Sequence, residues 1–184
     1  ADDFLARVCV GWEDEAHRLR DRSVRVVNAR FGVVLDPTSG ALKEMLPLFK
    51  LMMGGVLGRP DTWINWVHID DVVCILKHMV VDRDLEGPYD VVAPIAVTNE
   101  EFGRTVARVL RRPFFMRYPQ GLMRVMIGEA GTFISGGARV RADRLVEAGY
   151  TFRFTRLEDA LRDLPDKGRT QREAPACEDC REAA

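Results

Sequence analysis

The spacing of hydrophobic and polar positions divides the chain into alternating helices and strands. Apolar residues recur every three or four positions over residues 2–19, 70–82 and 98–112, which predicts helices with one buried face. Residues 24–35 are almost continuously apolar and rich in β-branched side chains, and residues 87–93 are a shorter segment of the same kind. Strands that alternate with helices indicate an α/β fold with a parallel sheet.

The first helix and the strand after it are expected to be well covered. The members of the apolar helix face are Phe4, Leu5, Val8, Trp12, Ala16 and Leu19. The continuous apolar run 24–35 is typical of a strand buried on both faces. A helix is predicted over 41–53 with a kink or break near Pro47, and the glycine-rich stretch 54–61 is predicted to be a loop.

Helix starts and strand faces can be predicted in the middle of the chain. Thr98 and Glu101 have the spacing of a capping box, and Asp70 or Asp71 is expected to cap the helix that follows "WINWVHI". Within that short strand, Ile64, Trp66 and His68 should share one face, with Val67 and Ile69 on the other. Later segments predict a strand near 113–118 and helices near 120–135, 140–148 and 156–164. Residues 165–184 have almost no large apolar side chain and are expected to be disordered.

Composition and charge narrow the class of protein. Hydrophobic residues make up 47% of the 184 residues, charged residues 30%, and the formal net charge is −1. Such a balance is typical of a globular domain, and it favours neither nucleic acid nor an anionic membrane as a partner. No apolar run is long enough to span a bilayer and no export signal is visible, so we expect a cytoplasmic location.

Few side chains in the sequence have the spacing of a known catalytic or metal site. No Tyr-x-x-x-Lys pair, serine elbow or zinc helix occurs, and no residue is proposed as a general acid or base. His68 and the two aspartates after it fit capping and packing better than a metal site, and no metal is predicted. Arg30 lies within the apolar strand, where a buried guanidinium needs a partner or a ligand.

The four cysteines do not have the pattern of a secreted disulfide framework. Cys9 and Cys74 fall in apolar helical patterns and are predicted to be small buried side chains. Cys177 and Cys180 form one C-x-x-C pair, which is half the ligand set of a closed zinc site. We interpret this pair as a feature of an unstructured tail rather than as a metal or redox site.

The order of several segments resembles one known family. The segments are "WEDEAHRL", "VRVVNARFGVVLDPTSGALKEMLPLFK", "GGVLGRPDTWINWVHIDDVV", "GPYDVVAPIAVTNEEFGRTVARVLRRP" and "LVEAGYTFRFTRLEDAL". Together they are similar to the C-terminal half of the atypical extended short-chain dehydrogenase/reductase family labelled "epimerase family protein". Members of that family often carry an inherited "cell division inhibitor" label.

The resemblance implies a fold, a cofactor and site residues. Residues 1–97 would be the late part of a Rossmann-type parallel sheet, 98–164 a small and mostly helical α/β C-terminal domain, and 165–184 a tail. NAD or NADP would be the cofactor, with Phe31, Gly32 and Val33 lining its pocket where the long strand ends. Arg30 and Trp66 would be candidates for contact with an unknown small-molecule substrate.

The sequence differs from the related nucleotide-sugar epimerases at two positions that bear on the expected substrate. Their Arg-Asp-Tyr-x-His pattern corresponds here to residues 64–68, "INWVH", so the pyrophosphate-binding arginine is missing there, although Arg59 is nearby. The asparagine that follows their long strand corresponds to Val33. Both changes weaken the case for a nucleotide-sugar substrate.

The phosphate-binding half of the family fold is not found in this sequence. We therefore expect a fragment of an NAD(P)-dependent oxidoreductase or epimerase-like protein that is inactive without its N-terminal half. It should self-associate through an exposed sheet edge. The alternative is a non-catalytic protein that senses a nucleotide or binds a regulatory partner.

Overall fold

The computed structural model describes residues 4–118, 137–167 and 177. The helices are α1 (Phe4–His17), α2 (Gly40–Lys50), α3 (Ile69–Val81), α4 (Asn99–Leu110), α5 (Asp143–Glu147) and α6 (Leu157–Lys167), with a 3-10 turn at Arg18–Arg22. The strands are β1 (Val27–Phe31), β2 (Val33–Leu35), β3 (Gly55–Leu57), β4 (Trp63–Ile64), β5 (Trp66–His68), β6 (Gly87–Val91), β7 (Val97–Thr98) and β8 (Met116–Tyr118). The predicted α/β class is confirmed.

Parallel pairing dominates the described strands. β1 pairs with β6, β2 with β5 and β3 with β8, all in parallel, while β4 pairs with β7 in antiparallel orientation. The predicted strand 24–35 is in fact two strands with different partners, because the chain leaves β6 and joins β5 at Gly32. A short strand, β3, lies in the glycine-rich stretch that we predicted as a loop.

Two hydrophobic clusters form the core on either side of the β2–β5 pair. One cluster packs α2, α4 and α6 around Leu35, Trp66 and Phe102. The other packs α3 and α5 around Val67 and Leu145. The alternation predicted for "WINWVHI" is confirmed for Ile64 and Trp66, in the first cluster, and Val67, in the second. The predicted single strand is two strands, β4 and β5, and Ile69 begins α3 and packs against both clusters.

Helix α4 begins as predicted. The Glu101 amide donates to Thr98 Oγ1 at 3.2 Å, and the Thr98 amide donates to the Glu101 carboxylate at 2.8 Å. This capping box satisfies two amides at the helix start. At α3 the capping prediction was wrong in its residue: His68 is the N-cap, and both aspartates lie in the first turn.

The predicted burial of the first elements was wrong. The helix ends at His17, and Phe4 and Trp12 are 70% and 73% exposed. Strand β1 is only partly covered, and its last two residues are exposed. Cys9, predicted to be buried, is an exposed free cysteine. These apolar surfaces lie open because no described element packs against that side of α1 and β1.

Other boundary predictions had mixed outcomes. Pro47 lies inside α2 without ending it. The three-to-four-residue spacing of 70–82 places Leu76 and Val80 on the predicted buried face of α3, but both are exposed. Helix α6 continues to Lys167, into the segment predicted to be disordered. The predicted helix near 120–135 and the tail beyond Lys167, apart from Cys177, lie outside the described residues.

Candidate functional site

Gly32 lies between two parallel strand pairs, at the carboxyl end of the β1–β6 pair and immediately before the amino end of the β2–β5 pair. Its amide donates to the Val91 carbonyl at 3.2 Å, and the Val33 amide donates to the Asn65 carbonyl at 2.7 Å. A β-carbon at Gly32 would lie 2.4 Å from that Asn65 carbonyl oxygen. The backbones approach too closely for any side chain, so glycine is required for the chain to cross from one pair to the other.

The three predicted cofactor residues surround this crossing point. Phe31 ends β1 and is 49% exposed, whereas Val33 begins β2 and packs against the first core cluster. Ligands of open α/β sheets bind outside the carboxyl ends of the strands. Phe31 and Gly32 lie at such an end, that of the β1–β6 pair, whereas Val33 lies at the start of β2. The contact of these three residues with a cofactor stays a prediction.

Arg30 is paired rather than buried. Its Nε and Nη2 donate to the two carboxylate oxygens of Glu13 at 2.7 and 2.6 Å, which joins β1 to α1. The hydrogen bonds from Arg30 hold the pKa of Glu13 below its usual range. Half of the Arg30 side chain is exposed, so our expectation of a buried guanidinium was wrong. Its substrate contact stays a prediction.

Trp66 is fully enclosed by protein atoms. The indole N–H donates to the Ile95 carbonyl at 3.0 Å, and the ring belongs to the first core cluster. With no exposed surface, the indole anchors the strand end, and within the described structure it presents no face to a ligand. A substrate contact for Trp66 stays a prediction.

Asn65 is a site residue that we did not predict. Its side-chain amide donates to the Ala138 carbonyl at 2.8 Å, and its side-chain carbonyl accepts from the Val140 amide at 2.9 Å. A β-carbon on Gly137 would lie 2.1 Å from the Trp63 carbonyl oxygen, so this segment is held directly against the strands. Segment 137–140 therefore lies beside the crossing point, although it is more than 70 residues away in sequence.

Two arginines of the same region line a cavity of about 220 Å³. The lining residues are Pro94, Arg139, Arg141, Ala142, Asp143 and Val146. A larger cavity, about 310 Å³, lies between α2, α4 and α6. Its lining is mostly leucine and valine, with Pro37 and Thr38 from the segment after β2. The smaller, charged cavity includes Pro94, close to the end of β6, and is the one beside the crossing point.

His68 caps α3 and contacts α6. The Asp70 amide donates to His68 Nδ1 at 3.1 Å, while His68 Nε2 lies 3.5 Å from Asp163 Oδ2. Because Nδ1 accepts a hydrogen bond, the neutral ring carries its proton on Nε2, facing Asp163. The ring also packs against Phe154, with centroids 4.1 Å apart.

These groups have the composition of a small metal site but already serve protein contacts. The donor atoms of His68, Asp70 and Asp163 lie within 4.8 Å of one another, close enough to admit an ion. Asp70 Oδ2 also lies 3.6 Å from Arg153 Nη1, and both histidine nitrogens face a protein group. We therefore interpret the cluster as a structural junction.

Asp71 completes this junction. Its carboxylate accepts from the amides of Arg153 and Phe154 at 2.9 and 3.1 Å, and from the Tyr150 hydroxyl at 3.1 Å. Burial raises the pKa of Asp71, and the three hydrogen bonds act against that shift. The carboxylate joins the start of α3 to the segment before α6, a role that the sequence pattern does not indicate.

A disulfide links Cys74 on α3 to Cys177 in the tail, across 103 residues. We predicted Cys74 as a simple buried side chain and Cys177 as part of an unstructured tail, so both predictions were wrong. Cys180 lies outside the described residues.

No helix in the described parts of the chain combines the length and the apolar character needed to cross a bilayer.

Comparison with known proteins identifies relatives over most of the chain. Residues 118–164 match a family described as a domain of unknown function, DUF1731. An epimerase family protein of Staphylococcus haemolyticus is 37% identical over 164 residues, which are 89% of this chain and 55% of that protein. The chain thus spans about half the length of this curated relative.

Solved structures show the same likeness. The human epimerase family protein SDR39U1 (isoform 2), crystallised with NADPH, is 32% identical with a TM-score of 0.74 over 79% of this chain and 50% of that one. A nucleoside-diphosphate sugar epimerase from Corynebacterium glutamicum is 29% identical with a TM-score of 0.70 over 89% of this chain and 31% of that one. The α/β arrangement described above is therefore similar to part of the Rossmann-like fold of these epimerases.

Proposed function

We propose that this chain, which is similar to these epimerase family proteins, forms the substrate-facing part of an NAD(P)-dependent oxidoreductase or epimerase. The observation that supports the proposal is the crossing point at Gly32, where the chain leaves the carboxyl end of the β1–β6 pair and enters the β2–β5 pair. Support for the cofactor comes from the human relative, which was crystallised with NADPH.

The reactive end of the cofactor would lie near Phe31, Gly32 and Val33. Gly32 brings the backbone of β1 close to Asn65, and Phe31 offers a half-exposed ring beside it. An exposed aromatic ring and bare backbone form a surface on which a flat ring can rest. The position agrees with the general rule for ligands of open α/β sheets.

The diphosphate of the cofactor would be held by residues outside this chain. A phosphate-binding glycine loop follows a strand and opens a helix, so that backbone amides point at the phosphates. The glycines at 54, 55 and 58 instead follow α2 and surround β3, which pairs with β8. We therefore propose that the isolated chain binds the dinucleotide weakly and is catalytically silent.

The rival proposal is a protein that binds a nucleotide or a regulatory partner without turnover. It is supported by the side chains at the crossing point: Phe31, Gly32 and Val33 contain no group that transfers a proton. An enzyme would need its general acid or base from outside these three residues. Binding of NADPH by that longer protein without turnover of any tested small molecule would favour the rival.

A fluorescence titration of the purified chain with NADH and NADPH tests the proposal about the isolated chain. We expect no saturable signal at micromolar cofactor, because the described residues form no loop of amides that would hold the diphosphate. Saturable micromolar binding by the 184-residue chain would show that it holds the whole dinucleotide, and the proposed division of the site would be wrong.

A further inference from the structure

The cavity lined by Arg139 and Arg141 has a position and charge that the proposed function leaves unexplained. We propose that it is the subsite for an anionic group of the substrate, a carboxylate or a phosphate. This inference rests on the proposed function for the identity of the bound molecule as a substrate. The existence of the anion site itself depends on the residues around the cavity.

The first argument is position. Pro94, on one wall, follows the carboxyl end of β6, and the Gly32 amide bonds to the last residue of that strand. The opposite wall begins in segment 137–140, which Asn65 holds by two hydrogen bonds. Asn65 is the residue whose carbonyl faces Gly32. The cavity thus adjoins the strand ends where the reacting part of a ligand would lie.

The second argument is the charge of the lining. Arg141 Nε donates to Asp143 Oδ1 at 3.0 Å, so these two opposite charges largely cancel. Within the described residues Arg139 has no carboxylate partner, and its guanidinium lies over the Trp63 ring, 5.0 Å from the centroid. The titratable side chains of the lining are two arginines and one aspartate, which leaves one positive charge.

The third argument is the chemistry of Arg139. Stacking on an indole orients the plane of a guanidinium while leaving the N–H groups at its edge available. Such a fork matches the paired oxygens of a carboxylate or phosphate. Because Asn65 and Gly137 fix the backbone next to Arg139, little freedom is lost when the fork binds.

The size of the cavity limits what can bind. A volume of about 220 Å³ accommodates a small charged group with a few attached atoms rather than a whole nucleotide. The site is open to solvent, so salt should weaken the binding. The predicted substrate is therefore a small molecule with one terminal anionic group near its reacting carbon.

The test is a titration of the full 184-residue chain with inorganic phosphate and, separately, with succinate, at low ionic strength. The readout is the NMR signal of the Trp63 indole N–H, identified with Trp63→Phe. We expect a saturable shift with at least one probe and none with sodium chloride of equal ionic strength. Saturation by phosphate alone would assign a phosphorylated substrate, and saturation by succinate alone a carboxylate.

Matched variants decide whether Arg139 is responsible. Arg139→Gln should lower the affinity for the probe that saturates by about fivefold or more, which is the effect expected for one partly exposed ionic contact. Arg83→Gln removes the same charge from the loop before the amino end of β6 and should leave binding unchanged. A thermal melt of each variant confirms that it folds. No saturable shift with either probe, equal affinity in Arg139→Gln, or equal weakening by Arg83→Gln would overturn the proposal.

The outcome is separable from that of the proposed function. Loss of NADPH binding in the longer protein, with anion binding intact in this chain, would reject the dinucleotide proposal and keep the anion site. NADPH binding by the longer protein, without anion binding by this chain, would reject the anion site and keep the dinucleotide proposal.

Discussion

At Gly32 the absence of a side chain allows the backbone to approach Asn65 and Val92 closely. A β-carbon there would meet the Asn65 carbonyl oxygen at 2.4 Å and the Val92 side chain at 2.9 Å. We expect Gly32→Ala to lower the free energy of unfolding by roughly 1–3 kcal/mol, the usual cost of overpacking. The change in the free energy of unfolding is measured by denaturant titration of the variant and the wild-type chain.

Gly11→Ala is the matched control for that substitution. Gly11 lies inside α1 with no atom within 4 Å of the added β-carbon, so alanine should stabilise the helix by up to about 1 kcal/mol. Similar effects of the two substitutions would contradict the close approach that we describe at Gly32.

The carboxylate of Asp71 is a second residue on which the structure depends. Asp71→Ala leaves two amides and the Tyr150 hydroxyl without their acceptor and should cost roughly 3 kcal/mol. Asp71→Asn keeps one acceptor oxygen and should cost less. Chemical denaturation at neutral pH compares the two variants.

The pH dependence of stability should also distinguish Asp71→Asn. Burial raises the pKa of Asp71 in the folded state above its ordinary value of 3.8. Its contribution to stability is therefore fully present below about pH 3.8 and is lost as the pH rises through the folded pKa. Relative to Asp71→Asn, the wild-type chain should become more stable as the pH falls through this window. If the difference in unfolding free energy between the wild-type chain and Asp71→Asn does not change with pH, or changes in the opposite direction, the pKa of Asp71 is not raised.

At the scale of elements, the capping box of α4 offers a clean measurement. Thr98→Ala removes the acceptor of the Glu101 amide and should cost about 1 kcal/mol. Thr105 lies in the same helix, and its hydroxyl donates back to the Glu101 carbonyl, so Thr105→Ala should change stability little. If both variants lose the same amount of stability, the hydrogen bond from the Glu101 amide to Thr98 does not contribute more than an ordinary threonine in the helix.

Elements defined by local signals were predictable, and those defined by distant contacts were not. The capping box and the alternation of Ile64, Trp66 and Val67 depend on neighbours in sequence, and both were found. The split at Gly32, the strand at 55–57 and the role of Asn65 depend on residues far along the chain. Periodicity identified the apolar face of α1, but it could not show whether anything covers that face.

The same distinction applies to the candidate site. The sequence located Phe31, Gly32 and Val33 at a strand end through a family resemblance. From the apolar neighbours of Arg30 we predicted a buried side chain. Those neighbours do not show that this part of the strand lies at the surface, where Arg30 pairs with Glu13. The partners of Asp71 and the cavity at Arg139 follow from packing between distant segments, for which no local pattern exists.

For the whole molecule, the open side of α1 and β1 predicts association. Phe4, Val10 and Trp12 are largely exposed, and among the described strands β1 pairs with β6 alone. Exposed apolar surface beside an unpaired strand edge favours self-association. Sedimentation velocity should show a concentration-dependent increase in mass, which Trp12→Glu reduces.

Val80→Glu controls for the loss of an exposed apolar side chain at another place. Val80 is 71% exposed on α3, and its substitution should leave the association unchanged. A monomer at every concentration, or an equal effect of Val80→Glu, would contradict the assignment of the contact surface to α1 and β1.

The central claim is that this chain shapes the reactive end of a nucleotide site and leaves the diphosphate to another segment. Its most direct test joins the part of the Staphylococcus haemolyticus relative that this chain does not match to residues 1–184. NADPH fluorescence is then titrated against the chimera and against the chain alone. We predict saturable micromolar binding by the chimera and none by the chain. A folded chimera that binds no NADPH, or a chain that binds it equally well, would contradict the account.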